Sequence, residues 1–202
     1  MTGSVRVTGV VLAAGSSRRL GRPKQLVDIG GAPLVRRTVE AALASAVDDW
    51  IVVLGAAQDA VAEALHGLPV RLVINPRFAE GQSTSVVAGV TEVPSDAVAV
   101  VFVLGDQPMF APGVIDQLVQ RYGETRAEIV QPTYSGTPGN PVLVSTKLRE
   151  GLLALTGDEG ARPLLRQHAG AVERVEVGGA VPSDVDTEED VARVRAEWFA
   201  AQ

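Results

Sequence analysis

Val10-Val11-Leu12-Ala13-Ala14-Gly15-Ser16-Ser17-Arg18-Arg19-Leu20-Gly21-Arg22-Pro23-Lys24-Gln25-Leu26 is the stretch around which the rest of the chain is organised. An apolar run ends in small residues, and a loop follows that carries Arg18, Arg19, Arg22 and Lys24. The ten positions from Gly15 to Lys24 hold four of the chain's 18 basic residues and no acid. Uniform spreading would put roughly one there. Gly15 and Gly21 let the backbone turn and come close to a ligand. Backbone N–H groups and cationic side chains together make a site for an anion, a polyphosphate above all. The charges alone fit a solvated basic loop equally well.

Two phosphate-binding patterns are excluded by spacing. A P-loop needs G-x-x-x-x-G-K-[ST], whereas Arg22 follows Gly21 here, and no G-x-G-x-x-G joins a strand to a helix. The stretch resembles the L-A-A-G-x-S-x-R-x-G-x-x-K signature of the MobA-like nucleotidyltransferases. Its Ala13-Ala14-Gly15 is similar to the Ala-Ala-Gly of the molybdenum cofactor cytidylyltransferases, where the guanylyltransferase branch usually has Ala-Gly-Gly. The resemblance runs from Val10 to Val191.

Composition agrees with one α/β unit. The 202 residues suit a single domain, 1–202, with a sizeable core. Aromatic content of 4% leaves the core to Val, Leu, Ile and Ala, which suits strands buried on both faces. With 18 basic and 24 acidic residues, the net charge of −6 argues against a nucleic-acid surface. No apolar run approaches the roughly 20 residues of a membrane span. The N-terminus does not read as a signal peptide, so a cytoplasmic location is expected. Zero cysteines exclude disulfides and thiolate chemistry.

Strands are expected at Val5–Leu12, Trp50–Leu54, Val70–Ile74 and Val98–Leu104, the last so hydrophobic that it should be central. Leu26–Ile29 is a short extended piece closed by Gly30-Gly31, and Pro33 fits the first turn of a helix whose stripe is Val35, Val39, Ala42 and Leu43. Further helices are expected to Leu65, over Ser85–Val93, and from Pro112 with Val114, Ile115, Leu118, Val119 and Tyr122 on one face. Glu128–Tyr134 and Pro141–Ser145 form a strand pair. Short helices are expected near 146–154 and 160–168, a strand over Val172–Val177, and a closing helix from Glu188 to Phe199. Three strand–helix alternations in a row argue for a three-layer α/β/α sandwich on a mostly parallel, Rossmann-like sheet.

Ligands of such sheets gather outside the carboxyl ends of strands, which would bring the basic loop and Asp106 together. Asp106 can hold Mg²⁺, since magnesium takes one or two carboxylates plus phosphate oxygens; otherwise it caps the turn before Pro108. Gly105-Asp106-Gln107-Pro108 matches the family's Gly-Asp-x-Pro motif. Asp184 and Asp186 alternate, so in an extended segment both point the same way. Asp184-Val185-Asp186-Thr187 matches the family's closing Asp-x-Asp-Thr, and the resemblance implies that one of the two completes the metal site, with Asp184 favoured because Asp186 precedes the capping signal Thr187-Glu188-Glu189-Asp190. The resemblance further implies nucleotide contacts from Leu12, Ala13, Ala14, Gly15, Lys24, Gln82 and Ser85, although Ser83, Thr84 and Ser85 are also ordinary N-cap residues. It implies acceptor contacts from Asn140, which stands where many relatives have His, and from Arg162, alternatively a surface arginine. His66 and His168 lie near helix ends, where positive charge is favoured, and carry no catalytic role.

The implied reaction is attack by an acceptor phosphate on a nucleoside triphosphate, with Arg18, Arg19, Lys24 and Asp106 as the catalytic set. CTP is the favoured donor and a molybdenum-pterin phosphate the favoured acceptor, passed on to a molybdoenzyme. The alternatives are another small phosphorylated acceptor, or a redox or cofactor-chaperone protein on the same fold.

Overall fold

A computed structural model describes residues 6–201. Val5, the expected start of the first strand, lies outside them. The ordered elements begin with β1 (Val7–Ala13), a hairpin of β2 (Asp28–Ile29) and β3 (Ala32–Pro33), and α1 (Leu34–Leu43). They continue through β4 (Asp49–Leu54), α2 (Gln58–Ala64), β5 (Arg71–Ile74), α3 (Gln82–Thr91), β6 (Ala99–Leu104) and α4 (Pro112–Thr125). The second half adds β7 (Ile129–Tyr134), β8 (Thr137–Pro138), β9 (Val142–Ser145), α5 (Arg149–Leu153), α6 (Arg162–Gln167), β10 (Val172–Glu176) and α7 (Glu188–Ala200).

The main sheet runs β10-β7-β9-β6-β1-β4-β5, with β8 hydrogen-bonded to β7 outside that path. Along the path every pairing is parallel except those of β9, which is antiparallel to both β6 and β7. β6, the most apolar strand, is central, as its sequence requires of a strand covered on both faces.

Strand alternation divides the apolar side chains between two cores. Val7 and Val11 of β1, Val52 and Leu54 of β4, and Val101 and Val103 of β6 pack against Val35 and Val39 of α1 and Ile115 and Leu118 of α4. Val10, Ile51, Val53 and Val100 face the other way, onto Val86 and Val90 of α3, Leu152 of α5 and Leu164 of α6. These are the two helical layers of an α/β/α sandwich. A smaller cluster joins Val27, Ile29 and Leu34 to Val185, Val191 and Val194, docking α7 on the β2–β3 hairpin.

Two helix starts differ from the sequence expectation. Pro33 is the N-cap of α1 rather than part of its first turn. α3 begins at Gln82, three residues before Ser85, and its N-cap is Gly81 with no side-chain cap of its own. The capping acceptor comes from far along the chain: Asp158 Oδ1 accepts from the Gln82 N–H at 3.1 Å. Ser83, Thr84 and Ser85 are therefore helical residues, and none is the N-cap.

Candidate active site

β1 and β6 are neighbours, and their register pairs Leu12 with Leu104. The Gly105 N–H donates to the Leu12 carbonyl at 3.0 Å. The basic loop and Asp106 thus leave adjacent strand ends on the same edge of the sheet. Gly105 is required there, because a Cβ would lie 2.8 Å from the Leu12 carbonyl oxygen.

The loop is folded by its own polar atoms. Buried Gln25 donates through Nε2 to the carbonyls of Ala13 at 3.0 Å and Gly15 at 2.7 Å. Ser17 takes the left-handed conformation, φ 52°, and its Oγ accepts from the Lys24 N–H at 3.0 Å. The N–H groups of Gly15, Ser16, Arg18 and Arg19 have no acceptor among the described residues. Consecutive free N–H groups beside cations are what an anion cradle needs.

A cavity of about 540 Å³ opens over these strand ends. It is lined by Leu12, Ala13, Ala14, Gly15, Arg18, Arg19, Lys24, Gln82, Ser85, Asp106, Arg162, Asp184 and Asp186. Of the residues nominated from sequence, Asn140 alone is not on its wall. The β8–β9 turn holds that residue on the β7 side of the sheet, where its carbonyl accepts from the Tyr134 hydroxyl at 2.6 Å and Gly139 N–H donates to Pro132.

Lys24 Nζ donates to Asp106 Oδ2 at 2.5 Å and to Asp186 Oδ1 at 2.8 Å. Arg19 donates to the other oxygen of Asp186 at 2.5 Å. Burial works against the charge on Lys24, but Asp106 and Asp186 outweigh it and hold the ammonium pKa above the usual lysine range. Burial also pushes the Asp106 carboxyl above the usual carboxylate range; Lys24 opposes this, and repulsion from Asp184 and Asp186 adds to it.

The closing segment is fixed by Val185, which is fully buried and donates its N–H to the Asp106 carbonyl at 3.2 Å. Its neighbours Asp184 and Asp186 consequently both face the cavity. Asp184 Oδ1 accepts from Gln107 Nε2 at 2.7 Å. The helix cap does not use Asp186: Thr187 and Asp190 close a capping box by themselves. Asp186 instead has both oxygens on cations, whereas Asp106 Oδ1 and Asp184 Oδ2 have no partner among the described residues. Two such carboxylate oxygens suit a hard cation completed by phosphate oxygens. No group of three or more acidic or histidine side chains among the described residues would hold a metal unaided.

Around the far wall, Ser85 Oγ accepts from buried Asn75 Nδ2 at 3.0 Å, which leaves its own O–H to donate elsewhere. Gln82 packs against Gly160, where a Cβ would meet its Oε1 at 2.7 Å. Gln25, Gln107 and Asp158 shape the site and were not nominated from sequence. Each is an amide or acid in a polar stretch, and only tertiary contacts separate it from an ordinary loop residue.

Residues 9–172 match the MobA-like NTP transferase domain. The chain belongs to the MobA-like NTP transferase family. Over 201 residues it is 31% identical to nicotine blue oxidoreductase of Paenarthrobacter nicotinovorans, covering 93% of this chain and 96% of that one. It is also 31% identical over 198 residues to a probable molybdenum cofactor guanylyltransferase of Natronomonas pharaonis, covering 93% and 96%. Among solved structures, Rv0371C in complex with manganese, from Mycobacterium tuberculosis H37Rv, superposes with a TM-score of 0.84 at 30% identity, covering 95% of this chain and 99% of that one. As in other MobA-like NTP transferases, the sheet is mostly parallel with helices on both faces. No helix among the described residues is long and apolar enough to cross a membrane.

Proposed function

We propose that this MobA-like NTP transferase moves CMP from CTP onto the phosphate of a molybdenum-pterin cofactor, releases pyrophosphate, and hands the product to a molybdoenzyme. The observation that carries the reading is the cavity itself. Loop residues with unpaired N–H groups, Arg18, and Asp106 and Asp184 with their free oxygens all line it.

An acceptor phosphate oxygen forms a bond to the α-phosphorus while the bond from that phosphorus to the bridging oxygen breaks, and the electron pair leaves with pyrophosphate. A phosphate monoester has a second pKa near about 6, so it is already an anionic nucleophile and needs no general base. Catalysis is then positioning and charge neutralisation. Lys24 and Arg18 hold the leaving phosphates in the cradle, and Asp186 keeps Lys24 and Arg19 in place. Arg162, also on the wall of the cavity, draws in the acceptor phosphate. Asp106 and Asp184 would hold Mg²⁺, which would neutralise phosphate charge there. Gln82 and Ser85 take the base and ribose.

Pyrophosphate release, measured with each nucleoside triphosphate with and without purified molybdenum-pterin cofactor, tests this. Release is expected with CTP and cofactor together and should stop on chelation of the metal. Release with a different phosphorylated acceptor would keep nucleotidyl transfer and replace the acceptor. The oxidoreductase name of one relative supports a second reading, a redox role on this fold. Flavin or nicotinamide absorbance co-purifying with the protein, without pyrophosphate release, would favour it.

A further inference from the structure

A second, more open hollow of about 280 Å³ lies beside the main cavity, where α6 and β10 meet β7. Leu165 and Val172 form its apolar side and are themselves packed on the α3-side core. Arg162, Arg166 and Arg174 supply guanidiniums around it. Arg162 lines both the hollow and the main cavity, so the two adjoin across a single side chain.

The charge pattern at this place is unusual for the chain, whose net charge is −6. Among the described residues, ten arginines stand in ion pairs, Arg166 with Glu159 among them. Of those without a carboxylate, Arg149 and Arg195 donate to backbone carbonyls and Arg126 lies over the Tyr122 ring. Arg18, Arg162 and Arg174 remain, and all three border the two cavities. Arg174 donates only to the neutral Gln131 Oε1, at 3.2 Å. Gln131 Nε2 in turn donates to the Gly139 carbonyl at 3.3 Å, which ties the Gly139-Asn140 turn to this hollow rather than to the main cavity. An arginine held by an amide keeps its full charge available to an incoming anion.

We infer that the hollow is the acceptor subsite. The acceptor phosphate sits at Arg162, facing the main cavity. The body lies over Leu165 and Val172, and a second anionic or carbonyl group of the body pairs with Arg174. The ligand class is a small phosphorylated molecule with an apolar face and a further electron-rich group, too large to be phosphate alone. This inference rests on the nucleotidyl-transfer reading and names where its acceptor binds.

The test is equilibrium binding of purified molybdenum-pterin cofactor to the full chain without nucleotide, for the parent, Arg174→Glu and Arg174→Gln. Thermal shift with CTP and magnesium is run in parallel as a measure of folding and of the main cavity. The glutamate variant should bind the cofactor at least tenfold more weakly and the glutamine variant intermediately, with the CTP response unchanged in both. Equal cofactor binding by all three, or no binding by the parent, overturns the subsite. Arginine-dependent binding without any pyrophosphate release upholds the subsite and counts against the transfer reading alone.

Discussion

Lys24 separates two carboxylates, Asp106 and Asp186, that would otherwise repel across the cavity. On the proposed reading Lys24 exchanges its Asp106 contact for phosphate oxygens when a nucleotide arrives, while Asp186 keeps it in place. Lys24→Ala should cut turnover by about 10²–10³-fold, roughly 3–4 kcal/mol, as loss of a preorganised oxyanion donor does. Unchanged turnover at saturating nucleotide would take the basic loop out of the chemistry. Asp106 is the opposite case, because burial and two neighbouring acids disfavour its charge. Asp106→Asn should abolish metal-dependent turnover while the chain still melts cooperatively, at the parent temperature or above it. A variant that responds to magnesium like the parent would reduce Asp106 to a turn residue. The positions of both were legible in sequence, since Lys24 closes the basic loop that follows β1 and Asp106 follows the strongly apolar β6 at its carboxyl end. Gln25 was not. A glutamine after a lysine looks like solvent-facing loop, and nothing local shows that it is buried against the Ala13 and Gly15 carbonyls.

Among elements, α7 shows how a cap leaves a neighbouring acid free to pair with cations. Thr187 Oγ1 accepts from the Asp190 N–H at 3.2 Å, and Asp190 Oδ2 accepts from the N–H groups of Thr187 at 2.9 Å and Asp186 at 3.1 Å. The Thr187 hydroxyl, then Arg193, holds the Asp190 carboxyl well below the usual range. A carboxylate with a depressed folded-state pKa stabilises above its unfolded value, near about 4, and that contribution is lost as pH falls through the folded value. Thr187→Ala should therefore cost about 1 kcal/mol at neutral pH, a drop of roughly 2–4 °C in Tm for a chain of this size. The gap between parent and variant should narrow in melts at pH 3 and below; a gap independent of pH would remove Asp190 from the box. The Thr–x–x–Asp spacing made this helix start readable. The start of α3 was not readable, because Gly81 offers no side chain and its stand-in, Asp158, comes from a distant loop. The place of Asn140 was not readable for a similar reason: its motif sits beside a strand, and sequence does not show to which side the turn folds.

Across the whole molecule, the alternation of strands and helices implied the parallel sheet, while the insertion of antiparallel β9 between β6 and β7 depends on pairings more than 40 residues apart in one case. That order sets the ends of β1 and β6 side by side, so a nucleotide bound there contacts β1, β6 and α3 at once and should stabilise the entire fold. Base preference follows from how little room the floor leaves. Ala14 is buried at the end of β1, and its Cβ, like that of Ala13, takes room that a glycine would leave beside this backbone. A purine needs more depth along this backbone than a pyrimidine, and a difference of this size is worth about 1–3 kcal/mol. In a thermal-shift titration with magnesium, CTP should raise Tm at lower concentration than GTP, because stabilisation follows RT ln(1 + [L]/Kd). At one hundred times Kd this is about 2.7 kcal/mol, or roughly 5–10 °C for a chain of this length. Equal or reversed responses would withdraw the cytidylyl assignment and leave nucleotidyl transfer in place.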